Sequence, residues 1–153
     1  MDSSINPLLR WLLAIGIAVL SIRLISLGFY PLYDTTEARY GEIARLMLET
    51  GNWVTPLFDY DVPFWGKPPL QTWISAASFG VFGINEFAAR LPHFLCTLVA
   101  LFLTYQFANQ YFGTRRAVIS IIVLSASVGF TVTAGTVMTD SALLMTTTLA
   151  MVS

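Results

Sequence analysis

Apolar residues run almost unbroken from Leu8 to Leu32, from Phe87 to Phe112, from Ala117 to Thr139, and from Ser141 to Ser153. The first run exceeds the ~20 residues a membrane-spanning helix needs. The run 117–139 carries no charge over 23 residues. The pattern predicts spans at 8–32, 87–112 and 117–139, with a fourth beginning at 141–153. A cleaved leader is the alternative for the first run, but the run is longer than a usual leader core. No Ala-x-Ala-like site follows before Tyr30-Pro31-Leu32-Tyr33. Trp11, Tyr30 and Tyr33 fall where interfacial aromatics belong.

Residues 33–86 break this pattern and read as one long loop with short elements of its own. In 35–50, Tyr40, Ile43, Ala44 and Met47 follow helical spacing, and Gly51 ends the pattern. Glu42, Arg45 and Glu49 share the opposite face. The stretch 70–82 is apolar, too short to span comfortably, and ends at Gly83. Both predict helices lying in the membrane interface. The fold class is therefore all-α: a multi-pass transmembrane helical bundle with a long loop carrying interfacial helices.

Composition agrees. Hydrophobic residues make up 56% of 153 and charged residues 11%, against an ordinary charged share of about 25%. Mean hydropathy is +0.68, and the net charge is −1. These values exclude a disordered chain, a nucleic-acid binder and an ordinary soluble enzyme. One cysteine, Cys96, excludes a disulfide framework and a cysteine zinc site. One histidine, His93, excludes histidine clusters, so acid–base chemistry falls to carboxylates. Both residues read most simply as packing within the second span.

Positive charge sets orientation. Arg10 and the pair Arg115-Arg116 mark one side, which becomes cytoplasmic. The loop 33–86 and Asp140 then lie outside, meeting on one membrane face although Glu37 and Asp140 are about 100 residues apart.

Candidate chemistry concentrates there. Asp34 and Glu37 open the helix at 35–50, and their spacing also fits a capping box. Glu37 lies roughly 70° from the centre of the apolar stripe at 100° per residue. A carboxylate at that boundary is partly desolvated, which suits proton abstraction. Lys67, the only lysine, sits between Trp65 and two prolines that stiffen its backbone. It suits a lipid phosphate, or serves as a snorkelling anchor. Asp140 is a second acidic candidate, or a helix cap. Arg23 lies inside the first span, and either faces the bundle interior or reaches the outer headgroups.

The order Asp34-Thr35-Thr36-Glu37-Ala38-Arg39-Tyr40-Gly41-Glu42-Ile43-Ala44-Arg45, then Thr50-Gly51-Asn52-Trp53-Val54-Thr55-Pro56, Lys67-Pro68-Pro69-Leu70, Phe82-Gly83, Ala89-Arg90-Leu91-Pro92 and Thr139-Asp140, resembles the N-terminal part of bacterial GT-C membrane glycosyltransferases. These include the aminoarabinose transferases of lipid A and relatives of the protein O-mannosyltransferases. The resemblance implies an N-terminal part, over 8–153, of a longer enzyme in the bacterial inner membrane. That enzyme would move a sugar from a polyprenyl-phosphate donor to a lipid or protein acceptor at the outer face. Asp34, Glu37 and Asp140 would be catalytic, with Lys67, Arg39 and Tyr40 on the donor phosphate. The aminoarabinose subgroup has an adjacent Asp-Glu pair, where this chain has Thr36-Glu37 with Asp34 upstream; Glu37 keeps the register to Arg39-Tyr40. No cofactor is required, though a divalent cation could share the phosphate's charge. The rival readings are a transporter segment and a non-catalytic membrane fragment. The span at 117–139, with only Ser, Thr and Gly among its non-hydrophobic residues, offers little for ion relay.

Overall fold

The structure, a computed structural model, describes residues 7–152. The polar stretch 1–6 and residue 153, the end of the expected fourth span, lie outside the described residues. The elements in order are α1 (Pro7–Ser26), α2 (Thr35–Thr50), a small antiparallel hairpin of β1 (Leu57–Asp59) and β2 (Val62–Pro63), α3 (Leu70–Phe82), α4 (Glu86–Phe112), α5 (Thr114–Ala126), α6 (Val128–Thr133) and α7 (Thr139–Val152).

α4 is the central element, with α3, α5 and α7 packed against it and α1 leaning on α5. α1 and α4 are long and apolar enough to cross a membrane. α1 stops at Ser26, six residues short of the expected Leu32. Gly28 follows, packed so closely that an added Cβ would lie 3.3 Å from the Phe87 Cβ. Pro31 then offers no N–H to continue the ladder.

The stretch 117–139 is not one helix. α5 ends at Ala126, Ser127 is extended (φ −67°, ψ 125°), α6 lasts six residues, and Gly135 adopts a left-handed φ of 80°. Hydroxyls explain the break. Thr131 Oγ1 donates to the carbonyls of Ser125 (2.9 Å) and Ser127 (3.1 Å), Ser125 Oγ to Ile122 (3.1 Å), and Thr133 Oγ1 to Gly129 (2.8 Å). Side chains that bond carbonyls within a turn offer the backbone an alternative to the helical ladder. α5 alone covers only about 20 Å at 1.5 Å per residue.

α2 and α3 match their expected bounds, and the stripe Tyr40, Ile43, Ala44 and Met47 is buried. It packs with Ala76 and Phe79 of α3, Ala88 and Ala89 of α4, and Val137. A second cluster joins Leu27, Phe94 and Ala134. The loop helices thus dock on the end of the bundle where α4 and α7 begin. On the outer face of α2, Arg45 donates to Glu42 (2.7 and 2.9 Å) and also pairs with Glu49. The Arg45 guanidinium holds the Glu42 carboxyl below the usual carboxylate range. Tyr60 donates from its hydroxyl to Glu49 (3.0 Å), tying the hairpin to α2.

Candidate active site

Glu37 and Arg90, 53 residues apart, form a buried ion pair in which the Arg90 side chain is 0% exposed and that of Glu37 5%. Arg90 Nε and Nη2 donate to the two Glu37 oxygens at 3.0 and 2.8 Å. The remaining guanidinium hydrogens go to the carbonyls of Leu27 (2.8 Å), Tyr30 (2.7 Å) and Pro31 (2.9 Å), and the Tyr30 ring lies 3.8 Å from the guanidinium carbon. Glu37 Oε1 also accepts the Val137 N–H at 3.1 Å. This one pair joins the α1–α2 turn, the first turn of α2, the start of α4 and the segment before α7. The capping box does not form, because Asp34 makes no side-chain cap bond and Glu37 turns inward. A bidentate, charge-assisted contact outweighs a single bond to a backbone N–H.

His93 makes a second junction one turn along α4. It is fully buried, with Nε2 2.9 Å from Ser75 Oγ on α3 and Nδ1 2.9 Å from Ser141 Oγ on α7. The expectation of plain packing missed this polar bridge. Beside it, Thr139 Oγ1 donates to Gln71 Oε1 (3.0 Å), again linking α7 to α3.

The candidate residues separate into two groups around these junctions. Glu37 and Tyr40 are buried. Tyr40 meets Phe64 edge-on at a centroid distance of 6.1 Å. Phe64 in turn lies under Gly66, where an added Cβ would be 2.7 Å from the ring. Tyr40 therefore supports the loop that carries Lys67. Asp34, Arg39, Lys67 and Asp140 are exposed. Asp34 lies at the N-terminus of α2, its carboxylate 3.4 Å from the Thr35 hydroxyl. Arg39 borders a hollow of about 300 Å³ with Thr35, Glu42 and Phe58. Asp140, in the first turn of α7, lines a cavity of about 470 Å³ with Thr97, Ser127, Thr133, Ser141 and Thr147 among its walls. Neither Glu37 nor Lys67 lines that cavity. Among the described residues, no three His, Cys, Asp or Glu side chains form a group able to hold a metal ion.

Sequence reasoning missed Arg90 and His93 as organising residues. The signal for Arg90 was an arginine beside Pro92 at the mouth of an apolar run, just after a loop whose acidic residues outnumber its basic ones. Arg23 faces the interior, bonding carbonyls of residues 132–134 rather than reaching outward.

The chain is similar to proteins from several bacteria. The undecaprenyl phosphate-alpha-4-amino-4-deoxy-L-arabinose arabinosyl transferase of Shewanella sediminis (strain HAW-EB3) is 34% identical over 100 residues, covering 65% of this chain and 18% of that protein. The protein of the same name from Enterobacter sp. (strain 638) is 41% identical over 83 residues, 54% of this chain and 15% of that protein. The crystal structure of ArnT from Cupriavidus metallidurans bound to undecaprenyl phosphate matches with a TM-score of 0.83 at 27% identity, over 94% of this chain and 26% of that one. Its apo structure gives 0.81 at 26% identity over the same shares. The chain thus spans about a quarter of ArnT and less than a fifth of the two curated relatives. The model of the dolichyl-phosphate-mannose-protein mannosyltransferase family matches residues 8–153, nearly the whole chain, and the chain belongs to that family.

Proposed function

We propose that this chain forms the N-terminal part of a glycosyltransferase that moves a sugar from a polyprenyl-phosphate donor to a lipid or protein acceptor. The reaction takes place at the outer face of the bacterial inner membrane, with the loop 33–86 and Asp140 on that side. The observation that carries the reading is the hydrogen bond from the Val137 N–H to Glu37, which joins an acidic loop to a second acidic segment 100 residues away. The similarity to ArnT bound to undecaprenyl phosphate supports the donor class.

In this reading Asp34, Glu37 and Asp140 form the acidic side of the site, with divided roles. Both Glu37 oxygens are engaged by Arg90, so Glu37 fixes the first turn of α2. Asp34, on the exposed end of that turn, and Asp140, facing its cavity, are free to meet a substrate. One of them takes the acceptor's hydroxyl proton, a step that contributes roughly 10²–10⁴-fold. Lys67, on the loop that Tyr40 supports through Phe64, and Arg39 balance the negative charge that grows on the departing phosphate. No cofactor is required of these residues, and a divalent cation could share the phosphate's charge. The test incubates the intact gene product, purified in lipid, with radiolabelled polyprenyl-phosphate sugars and candidate acceptors. Transfer lost in Asp34→Asn or Asp140→Asn, with unfolding unchanged, is the expected result. Wild-type turnover in both variants would refute the assignment.

A further inference from the structure

Arg23 has an unusual setting. It lies in the last turn of α1, half-buried, and no carboxylate is within ion-pair distance among the described residues. Its guanidinium is spent on neutral oxygens. Nε donates to the Ala134 carbonyl (2.8 Å), Nη2 more weakly to the Val132 carbonyl (3.5 Å), and Nη1 to the Tyr30 hydroxyl. The Tyr30 ring also lies 5.6 Å from the Arg23 guanidinium carbon.

Those carbonyls are not arbitrary. They belong to the C-terminal end of α6, where the last helical carbonyls have no partner of their own. Within a membrane a carbonyl left without a donor is strongly disfavoured. The chain then turns at Gly135, whose left-handed φ and close packing leave no room for a side chain: an added Cβ would lie 2.6 Å from Leu27 Cδ2 and 3.4 Å from the Phe94 Cβ. Two residues on, the Val137 N–H is held by Glu37. The turn 132–137 is thus gripped at both ends, its carbonyls by Arg23 and its N–H by Glu37. Tyr30 lies between the two arginines. Three residues after Val137 comes Asp140.

We propose that Arg23 is a positioning residue, which clasps the end of the broken third span and thereby sets where α7 and Asp140 stand. Its part in catalysis rests on the function proposed above; the clasp itself does not. Arg23→Met removes every donor. Arg23→Lys keeps a cation that can reach the Ala134 carbonyl but not both carbonyls and the phenol. Tyr30→Phe removes one acceptor and keeps the ring, so it remains informative if Arg23→Met fails to fold.

The experiment combines two readouts on the intact protein in lipid, with Cys96 replaced by alanine. Spin labels at Val81→Cys on α3 and Met151→Cys on α7, both exposed, report the placement of α7. A single narrow distance distribution is expected with Arg23, a broadened or shifted one with Arg23→Met, and intermediate ones with Arg23→Lys and Tyr30→Phe. Sugar transfer, measured alongside without the labels, is expected to fall about 10- to 100-fold in kcat for Arg23→Met with little change in donor KM, since misplacement by about 1 Å costs up to 10²-fold. Unchanged distances in Arg23→Met and Tyr30→Phe would overturn the clasp. Altered distances with an unaltered kcat would overturn the positioning role. A wild-type protein that transfers no sugar would contradict the functional reading, while the distances would still decide the clasp.

Discussion

Removing the Glu37 carboxylate should destabilise this end of the bundle far more than removing an exposed acid. In Glu37→Ala the Arg90 guanidinium, 0% exposed, loses both charge-assisted bonds, and the Val137 N–H loses its acceptor. Breaking a buried pair by deleting one partner costs about 3–5 kcal/mol, and an orphaned buried donor adds about 1–3 kcal/mol. The three carbonyls on Arg90 persist and offset part of this. We expect a net loss of about 4 kcal/mol, or roughly 10 °C in unfolding midpoint at about 2–4 °C per kcal/mol for a chain of this size. Cys96, the single cysteine, is buried on α4. Its reaction with a thiol-activated dye therefore reports unfolding directly. Glu37→Gln should fall less, by about 2 kcal/mol, because it keeps an acceptor without the charge. The pair Glu37→Met with Arg90→Met should cost less than the sum of the single changes, since no unpaired charge remains. A midpoint for Glu37→Ala within about a degree of wild type, or additive single changes, would refute the reasoning.

Other outcomes follow from the same contacts. Gly135→Ala should destabilise by more than about 2 kcal/mol through left-handed backbone strain and overlap with Leu27, read in the same thiol assay. His93→Ala should loosen α7 from α3 by removing the Ser75–Ser141 bridge, seen as faster amide hydrogen exchange over 139–145. Lys67→Met should leave the unfolding midpoint unchanged, because Lys67 is exposed, while weakening retention of a polyprenyl phosphate in a binding assay. Glu42 has a lowered carboxyl pKa through Arg45. Its stabilisation should be fully present above the unfolded value near 4.5 and vanish as pH falls through the lower folded value. At a largely exposed pair the effect is about 0.2–1 kcal/mol, so Glu42→Gln should slightly flatten the acid limb of a midpoint–pH profile.

Local features of this fold were legible in the sequence, and long-range polar contacts were not. The spacing of Tyr40, Ile43, Ala44 and Met47 with Gly51 fixed α2 to the residue, as Gly83 did for α3. The break at Ser127 was hidden because Ser, Thr and Gly barely lower hydropathy, yet their hydroxyls compete for helix carbonyls. The density of such residues at 125–136 was the available signal. The role of Glu37 was hidden for a different reason. Three-residue spacing from Asp34 suits a cap, and nothing local says that an arginine 53 residues away competes for the same oxygens. Arg23 stayed open between the bundle interior and the outer headgroups because its acceptors exist only where the stretch 117–139 breaks.

The most direct test of the whole account is sidedness. In a Cys96→Ala background, single cysteines at Asp34, Lys67, Asp140 and Thr114 are exposed to a membrane-impermeant thiol reagent on intact cells with a permeabilised outer envelope. The account predicts that Asp34→Cys, Lys67→Cys and Asp140→Cys label from outside the inner membrane, and that Thr114→Cys labels only after that membrane is opened. Labelling of Asp140→Cys from the opposite side to Asp34→Cys would contradict it.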